Sequence, residues 1–280
     1  MSKIAVIGLV GESVFLRVSR HQAVGETARA DSIHREWGGK GYNQAVAAAR
    51  FGAEVAFLGA VAAEDLDRVE ADARENGITP CLVAKDVPTA YGVIVTDDTG
   101  DNRVTVFGGA ELDESDLEGF YPPIAACDIL LINNEVPESV NIAAVRMAEA
   151  FGKRVILNPA PAREVSDYIL SAAELVTPNE HELPAVAASE RVLVTLGGEG
   201  CHIRWLDTRV PAITVGEPVD TTGAGDTFNG VLAAALAEGE DIVTATTLAN
   251  VAAGIEVTHR FVMPAIPSRE EIFETYNSYI

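Results

Sequence analysis

The stretch DTTGAGDTFNGVLAAALAEG, residues 220–239, runs a glycine-rich turn straight into an apolar helix. The first amides of such a helix have no partner inside it, and together with the helix dipole they make an anion site. Asp226 stands at that mouth. A carboxylate there can take a proton from a hydroxyl while the amides of Gly223, Ala224 and Gly225 hold the charge that develops. These parts suit transfer of a phosphoryl group to an alcohol. The plainer alternative is that Asp226 caps the helix, and the motif alone leaves both open.

A second candidate lies in WGGKGYNQAVAAARFG, residues 37–52. Gly38, Gly39 and Gly41 let the backbone approach a ligand closely, Lys40 brings a charge, and Asn43 offers both a donor and an acceptor to sugar hydroxyls. A glycine-rich turn with a solvated lysine is the competing reading. A third candidate is the set of polar residues at the ends of apolar runs: Asn133, Asn134 and Glu135, then Asn158, then Asn179 and Glu182. If those runs are parallel strands, their carboxyl ends face one crevice.

Other motifs are missing. No GxxxxGK[ST] phosphate loop occurs, and VIGLVGES supplies only GxxG after the first apolar run, so a nicotinamide enzyme is poorly supported. The histidines have neither HxxxH nor HExxH spacing, and Cys81, Cys127 and Cys201 form no CxxC. A histidine-built zinc site is not expected, and the cysteines read as reduced packing residues.

With 42 acidic and 20 basic residues the chain of 280 carries a formal charge of −22. That charge argues against nucleic acid and against an anionic membrane surface as partners. The sequence shows no signal-peptide pattern and no apolar run near the ~18 residues of a membrane span, so a cytoplasmic protein is expected.

The elements that must position these residues alternate. KIAVIG, EVAFLGAV, DILLIN, RVILNPA, ELVTPN and RVLVTLG read as buried parallel strands, with alanine-rich helices between them. The pattern predicts a doubly wound α/β fold with a mostly parallel sheet flanked by helices. Residues 90–107 read as a hairpin turning at DDTGD, and residues 12–18 and 30–37 are β-prone where a crossover helix belongs. We expect one domain over 1–280, with a small lid sheet inserted from about 10–18, 28–37 and 88–108. Val14, Leu16, Val93 and Val95 are its expected exposed apolar positions, and they suggest a homodimer through the lid.

The chain resembles the PfkB carbohydrate kinase family, which has a ribokinase-like fold. GGKGYNQAVAAARFGAEVAFLGAV is similar to that family's N-terminal signature and DTTGAGDTFNGVLAAAL to its C-terminal one, with LNPAPAR and TPNEHE between them in the expected order. The resemblance implies an ATP- and Mg²⁺-dependent kinase acting on a primary hydroxyl, with Asp226 as base and Gly223, Ala224 and Gly225 as anion hole. It implies that Asn179 and Glu182 organise Mg²⁺ and its waters. Asn179, Thr195, Gly197, Gly200 and Asn250 would line the ATP site. Gly11, Ser13, Gly38, Gly39, Lys40, Asn43 and Glu135 would hold the acceptor. A monovalent cation, K⁺, would lie at Asp220 and Thr222.

The chain departs from the family in three places. Ser13 stands where members carry a diol-gripping aspartate, and Gly11 where ribokinase-like members carry asparagine, which argues against ribose itself. The cation loop reads HRFVMPAIP, with Phe261 for a glycine and Ala265 for a serine, so activation by K⁺ stays open. The segment after Glu182 is short. Besides the sugar kinase, a nucleoside kinase of the same fold (Tyr42 stacking on a base) and a non-catalytic sensor of small molecules remain alternatives. Phosphorylated sugars are a weaker choice of acceptor, with Arg17, Arg29, Arg35 and Arg103 as candidate phosphate ligands.

Overall fold

The computed structural model describes residues 1–99 and 101–279. In chain order the elements are β1 (Lys3–Ile7), β2 (Gly11–Arg17), β3 (Ser32–Gly38), α1 (Lys40–Phe51), β4 (Glu54–Ala62), α2 (Leu66–Glu75) and β5 (Ile78–Lys85). Then come β6 (Ala90–Thr96), β7 (Asn102–Phe107), α3 (Tyr121–Ala126), β8 (Ile129–Asn133), α4 (Glu138–Ala150), β9 (Arg154–Asn158), α5 (Asp167–Ala172) and β10 (Leu175–Val176). The chain ends with β11 (Leu193–Thr195), β12 (Cys201–Ile203), β13 (Thr208–Val210), α6 (Ala224–Glu238), α7 (Ile242–Glu256) and α8 (Arg269–Tyr279).

Six strands form a parallel sheet in the order β10-β9-β8-β1-β4-β5. Successive side chains of a strand point to opposite faces, and the apolar runs divide accordingly. Ile4, Val6, Ile129 and Leu131 join a core with α1, α2, α6, α7 and α8. Ala5, Ile7, Leu130 and Ile132 join a second core with α3, α4 and α5. Strands apolar on both faces are therefore covered on both faces. The chain leaves β1 toward β4 on one side and later returns to pair β8 on the other, so the crevice at the strand ends opens beside β1.

At that crevice α1 begins against the end of β1 with no side chain between them. A Cβ built on Gly8 would lie 2.5 Å from the Cα of Gly41, and one on Gly41 would lie 2.5 Å from the Cα of Gly8.

The expected small sheet is present, with four strands in the order β3-β2-β6-β7. The β6–β7 pair is the antiparallel hairpin read from residues 90–107. Gly100, within its expected turn, lies outside the described residues. The expected exposed positions are corrected. Val14 is buried at 4% exposure, and Leu16, Val93 and Val95 are half-buried. The exposed apolar residues of this sheet are Ile33, Val104, Val106 and Phe107, because the outer strands β3 and β7 lack a neighbour on one side.

The last two expected parallel strands also need correction. β10 keeps only two residues in the parallel sheet, and β11 pairs antiparallel with β12. Parallel bridges Val176–Val192 and Asn179–Thr195 still join the two sheets. Only a single 3-10 turn, Leu183–Val186, fits in the short segment after Glu182.

Candidate active site

α6 starts behind Gly223, whose φ of 90° lies in the left-handed region. A Cβ there would come within 2.5 Å of Glu256 Oε1 and 2.6 Å of Val262 Cγ1, so both backbone and space demand glycine. No side chain caps α6, whereas Asp241 caps α7 by accepting from Val243 and Thr244. The amide of Gly225 donates to no backbone carbonyl among the described residues. The mouth read from the motif thus keeps a free amide at Gly225, while the Ala224 amide donates to the carbonyl of Thr221 at 3.4 Å.

Asp226 does not cap its own helix. Its Oδ2 accepts from Asn43 Nδ2 at 2.9 Å and its Oδ1 from Gln44 Nε2 at 3.4 Å, both donors coming from α1. Burial raises its pKa, against the charge of Lys40 and these two amide donors. Gln44 Nε2 also donates to Asn158 Oδ1 at 3.0 Å, and Asn158 Nδ2 donates to the carbonyl of Thr177 at 3.1 Å. Thr177 Oγ1 donates to Asn229 Oδ1, and Asn229 Nδ2 donates to the carbonyl of Gly225 at 2.7 Å. The ends of β9 and β10 are in this way tied to both helices that carry the site.

Glu135 follows β8 and lays its carboxylate on the start of α1. The amides of Lys40 and Gly41 donate to its Oε1 and Oε2, each at 3.0 Å. Asn133 Oδ1 holds the Glu135 amide at 2.9 Å, and Asn134 Nδ2 donates to the carbonyls of Pro159 and Pro161. Burial pushes Glu135 up to about 7, opposed mainly by the two amides. Asp226 is the main cause of a raised pKa at Lys40, and Glu135 and Glu182 add to it against burial. One ammonium group therefore stands among three carboxylates.

On the acceptor side, Asn43 Oδ1 is buried and has no partner. A Cβ on Gly38 would lie 3.6 Å from that oxygen and 3.1 Å from Ser13 Oγ. Ser13, Gly38 and Asn43 thus lie side by side next to Asp226, and Gly39 is the residue before α1. Gly11 does something else: a Cβ there would hit the carbonyl oxygen of Ala90 at 2.6 Å, so this glycine lets β2 and β6 close. Glu12 pairs with Arg35 at 3.0 Å.

On the other side, Asn179 and Glu182 lock together. The amide and Nδ2 of Asn179 donate to the Glu182 carboxylate, each at 2.9 Å, and Asn179 Oδ1 accepts from the Glu182 amide at 2.9 Å. Glu182 is buried yet acts electrostatically on Lys40. A fixed carboxylate beside an amide oxygen is a donor set that fits a hydrated Mg²⁺, an ion that keeps most of its waters. Thr195 lies beside Asn179 through their bridge, and Gly197 opens the next turn with free space around it. Gly200 and Asn250 are structural at this wall. A Cβ on Gly200 would meet Val210 O at 2.2 Å, and the Asn250 side chain is spent on Cys201 Sγ and on the carbonyls of Val210 and Pro211.

One expectation from sequence fails here. Tyr42 cannot stack on a base: it is fully buried, packs edge-on against Phe57 and donates its hydroxyl to Asp72. The second half of the cation site is altered as its sequence suggests. Phe261 takes a φ of 67° and stacks on His34 at 3.9 Å, while Asp220 accepts from the amides of Thr222 and Phe261 at 3.0 and 3.4 Å. Sequence reasoning missed Gln44, Thr227, Glu36 and Glu256. Glu36 Oε1 accepts from the Val262 amide at 3.0 Å. Glu256 is 1% exposed with neither carboxylate oxygen partnered, and burial, then Asp226, Asp220 and Glu36, push it up to about 9. The only signal for it was an acid in an otherwise apolar helix end, GIEV.

The profile of the pfkB family carbohydrate kinases matches residues 1–269. The chain belongs to that family. This kinase is 34% identical to the ribokinase of Bacillus subtilis, over 98% of its own length and 99% of the relative's. Its fold matches Thermotoga maritima ribokinase with a TM-score of 0.87 at 30% identity, covering 99% of this chain and 100% of that one. Arabidopsis thaliana ribokinase, solved with ribose and ATP, matches with a TM-score of 0.85 at 26% identity, covering 98% and 99%. Among the described residues, the carbohydrate kinase has no helix long and apolar enough to cross a membrane.

Proposed function

We propose that this carbohydrate kinase moves the γ-phosphoryl group of ATP to a primary hydroxyl of a small sugar, with Asp226 as the base. The observation that carries the reading is the Asn43–Asp226 pair. Asn43 spends its Nδ2 on the carboxylate and leaves its Oδ1 free toward Gly38 and Ser13. A hydroxymethyl group placed there reaches base and orienting acceptor together. Its oxygen attacks the γ-phosphorus, the bond to the β–γ bridging oxygen breaks, ADP leaves, and the hydroxyl proton passes to Asp226. The open amides of Gly223 and Gly225, together with Lys40, stabilise the transferring charge, and the Ala224 amide joins them by giving up its long bond to the Thr221 carbonyl. A raised carboxylate pKa suits a base that must accept a proton near neutrality.

Asn179 and Glu182 would hold Mg²⁺ through its waters; when bound, the ion neutralises phosphate charge. Thr195 and Gly197 border the nucleotide side. The ribose and ATP bound by the Arabidopsis thaliana ribokinase support this acceptor class, and Ser13 predicts a looser grip on a vicinal diol than a carboxylate gives. The nucleoside alternative loses its one residue argument with Tyr42. Three free cysteines fit a cytoplasmic place. Exposed Val104, Val106 and Phe107 on an edge strand fit a homodimer through the small sheet, and light scattering at micromolar concentration should give twice the chain mass.

The deciding experiment is ATP consumption with Mg²⁺ against pentoses, hexoses, sugar acids, polyols and nucleosides, with Asp226→Asn in parallel. Turnover on a sugar that is lost in the variant is expected. Silence across the panel, or equal turnover in the variant, overturns the reading.

A further inference from the structure

The small sheet carries three rows of side chains on one face. The registers of β2 with β3 and β6 place Ser13 beside Glu36 and Gly92, Phe15 beside His34 and Ile94, and Arg17 beside Ser32 and Thr96. Side chains alternate along a strand, so all three rows share the face on which Ser13 stands beside Gly38 and Asn43. We propose that Phe261 determines the size of the acceptor: its ring covers the middle row and plugs the passage from the Ser13 row to a cavity beyond. The proposal rests on the sugar-kinase reading for the place of the acceptor.

Phe261 comes from the loop after α7. It stacks on His34 with centroids 3.9 Å apart and meets Phe15 edge-on at 5.3 Å. The next residue, Val262, is pinned to the Ser13 row, since its amide donates to Glu36 Oε1 at 3.0 Å. Its Cγ1 lies 2.6 Å from where a Cβ of Gly223 would be. Glu36 Oε2 in turn lies 2.9 Å from His34 Nε2. The loop therefore passes between the sheet and the start of α6 and lays a ring on the row next to Ser13. The backbone at Phe261 has a φ of 67°, which a β-carbon resists and a glycine would adopt freely. Two aromatic contacts hold a side chain there nonetheless.

Beyond the rings lies a cavity of about 420 Å³. Phe15 and Phe261 belong to its wall, as do Arg17, Ser32, Thr96, Thr221 and Arg260. Ser13, Gly38, Asn43 and Asp226 are not among its described walls. The two rings thus stand between the cavity and the acceptor residues. Its volume is that of a small-molecule pocket, and its hydroxyls and guanidinium groups offer hydrogen bonds. With the hydroxymethyl group of a pentose at Asp226, the anomeric carbon is the far end of the ring. The acceptors kept out are therefore glycosides and nucleosides, and those admitted are free sugars.

The test reads binding as well as turnover. Melting temperatures of the wild type, Phe261→Gly and Phe261→Leu are measured with and without millimolar uridine, with Mg²⁺ and AMP-PNP present throughout to keep uridine out of the nucleotide site. ATP consumption is followed separately on D-ribose and uridine. The wild type and Phe261→Leu, which keeps the bulk, should show no shift with uridine. Phe261→Gly should gain a rise of about 2 °C or more. A wild type already stabilised by uridine, no gain in Phe261→Gly, or an equal gain in Phe261→Leu would overturn the proposal. Phe15→Ala opens the plug from the sheet side and gives the same reading if Phe261→Gly does not fold. Uridine binding gained in a chain that phosphorylates no sugar would keep the plug and remove the kinase reading. Turnover of D-ribose with no gain in the variant would do the reverse.

Discussion

The ends of the six-stranded sheet and the four-stranded sheet above them are built by opposite rules. At the strand ends Asp226, Asn43, Gln44, Asn158, Thr177 and Asn229 form one buried chain of hydrogen bonds linking two strands and two helices. In the small sheet β7 is exposed along its whole length, and β6 is half-buried after Ala90. Its described ties to the loop 260–262 are the Glu36 bond to Val262 and the contacts of Phe15 and His34 with Phe261. Groups that move a proton need fixed geometry, and they sit where packing over-determines them. Of the residues proposed to meet the acceptor, Ser13 sits on this more exposed sheet, whereas Asn43 belongs to the buried chain.

The first substitution that could break this contrast is Asp226→Asn. It should lower kcat by about 10³-fold with little change in the acceptor KM. It should also raise the melting temperature, because it removes a buried charge. A variant that kept activity would place the chemistry elsewhere. Gly223→Ala comes next. The left-handed backbone and the overlap with Glu256 should cost about 2–3 kcal/mol of stability and weaken ATP binding, read by denaturant melts and nucleotide titration. On the other side of the comparison, Ser13→Asp should lower the KM for diol acceptors several-fold while the melting temperature stays within about 2 °C. A large stability loss there would show that the small sheet is as tightly specified as the strand ends.

The smallest effect concerns pH. Glu135 is raised from 4.5 to about 7, so the folded chain holds its proton more strongly than the unfolded chain. The stability linked to this group is then fully present below the unfolded pKa and is lost as pH rises through about 7. Relative to Glu135→Gln, the wild type should lose about 1–2 kcal/mol between those values, less than the full shift implies because the group is partly open to solvent. Above that window the two stability curves should run parallel. A wild type that gains stability over the same interval would reverse the sign and contradict the burial.

Much of the site is local in sequence and was legible there. The turn before α6, the glycines before α1 and the polar residues at strand ends each depend on neighbours a few positions away. What was not legible depends on direction. Tyr42, Asn43 and Gln44 are consecutive, but each step along a helix rotates the side chain by about 100°. Tyr42 therefore enters the core, Asn43 meets Asp226 and the acceptor space, and Gln44 links Asp226 to Asn158. Glu256 meets Gly223 across 33 positions of sequence, a contact that no spacing rule reveals. Val14 was misplaced for the same reason: alternation along a strand gives two faces without saying what covers each.

The bare contact between Gly8 and Gly41 sets a dimension of the molecule that no rotamer can adjust. Backbone rests on backbone there, so the standoff between β1 and the helix bearing Asn43 and Gln44 is the thinnest a polypeptide allows. A single methyl at either position would act as a shim under α1 and lift both amides away from Asp226 as one lever. Libraries built to retune this enzyme for new acceptors thus have a fixed datum at residues 8 and 41.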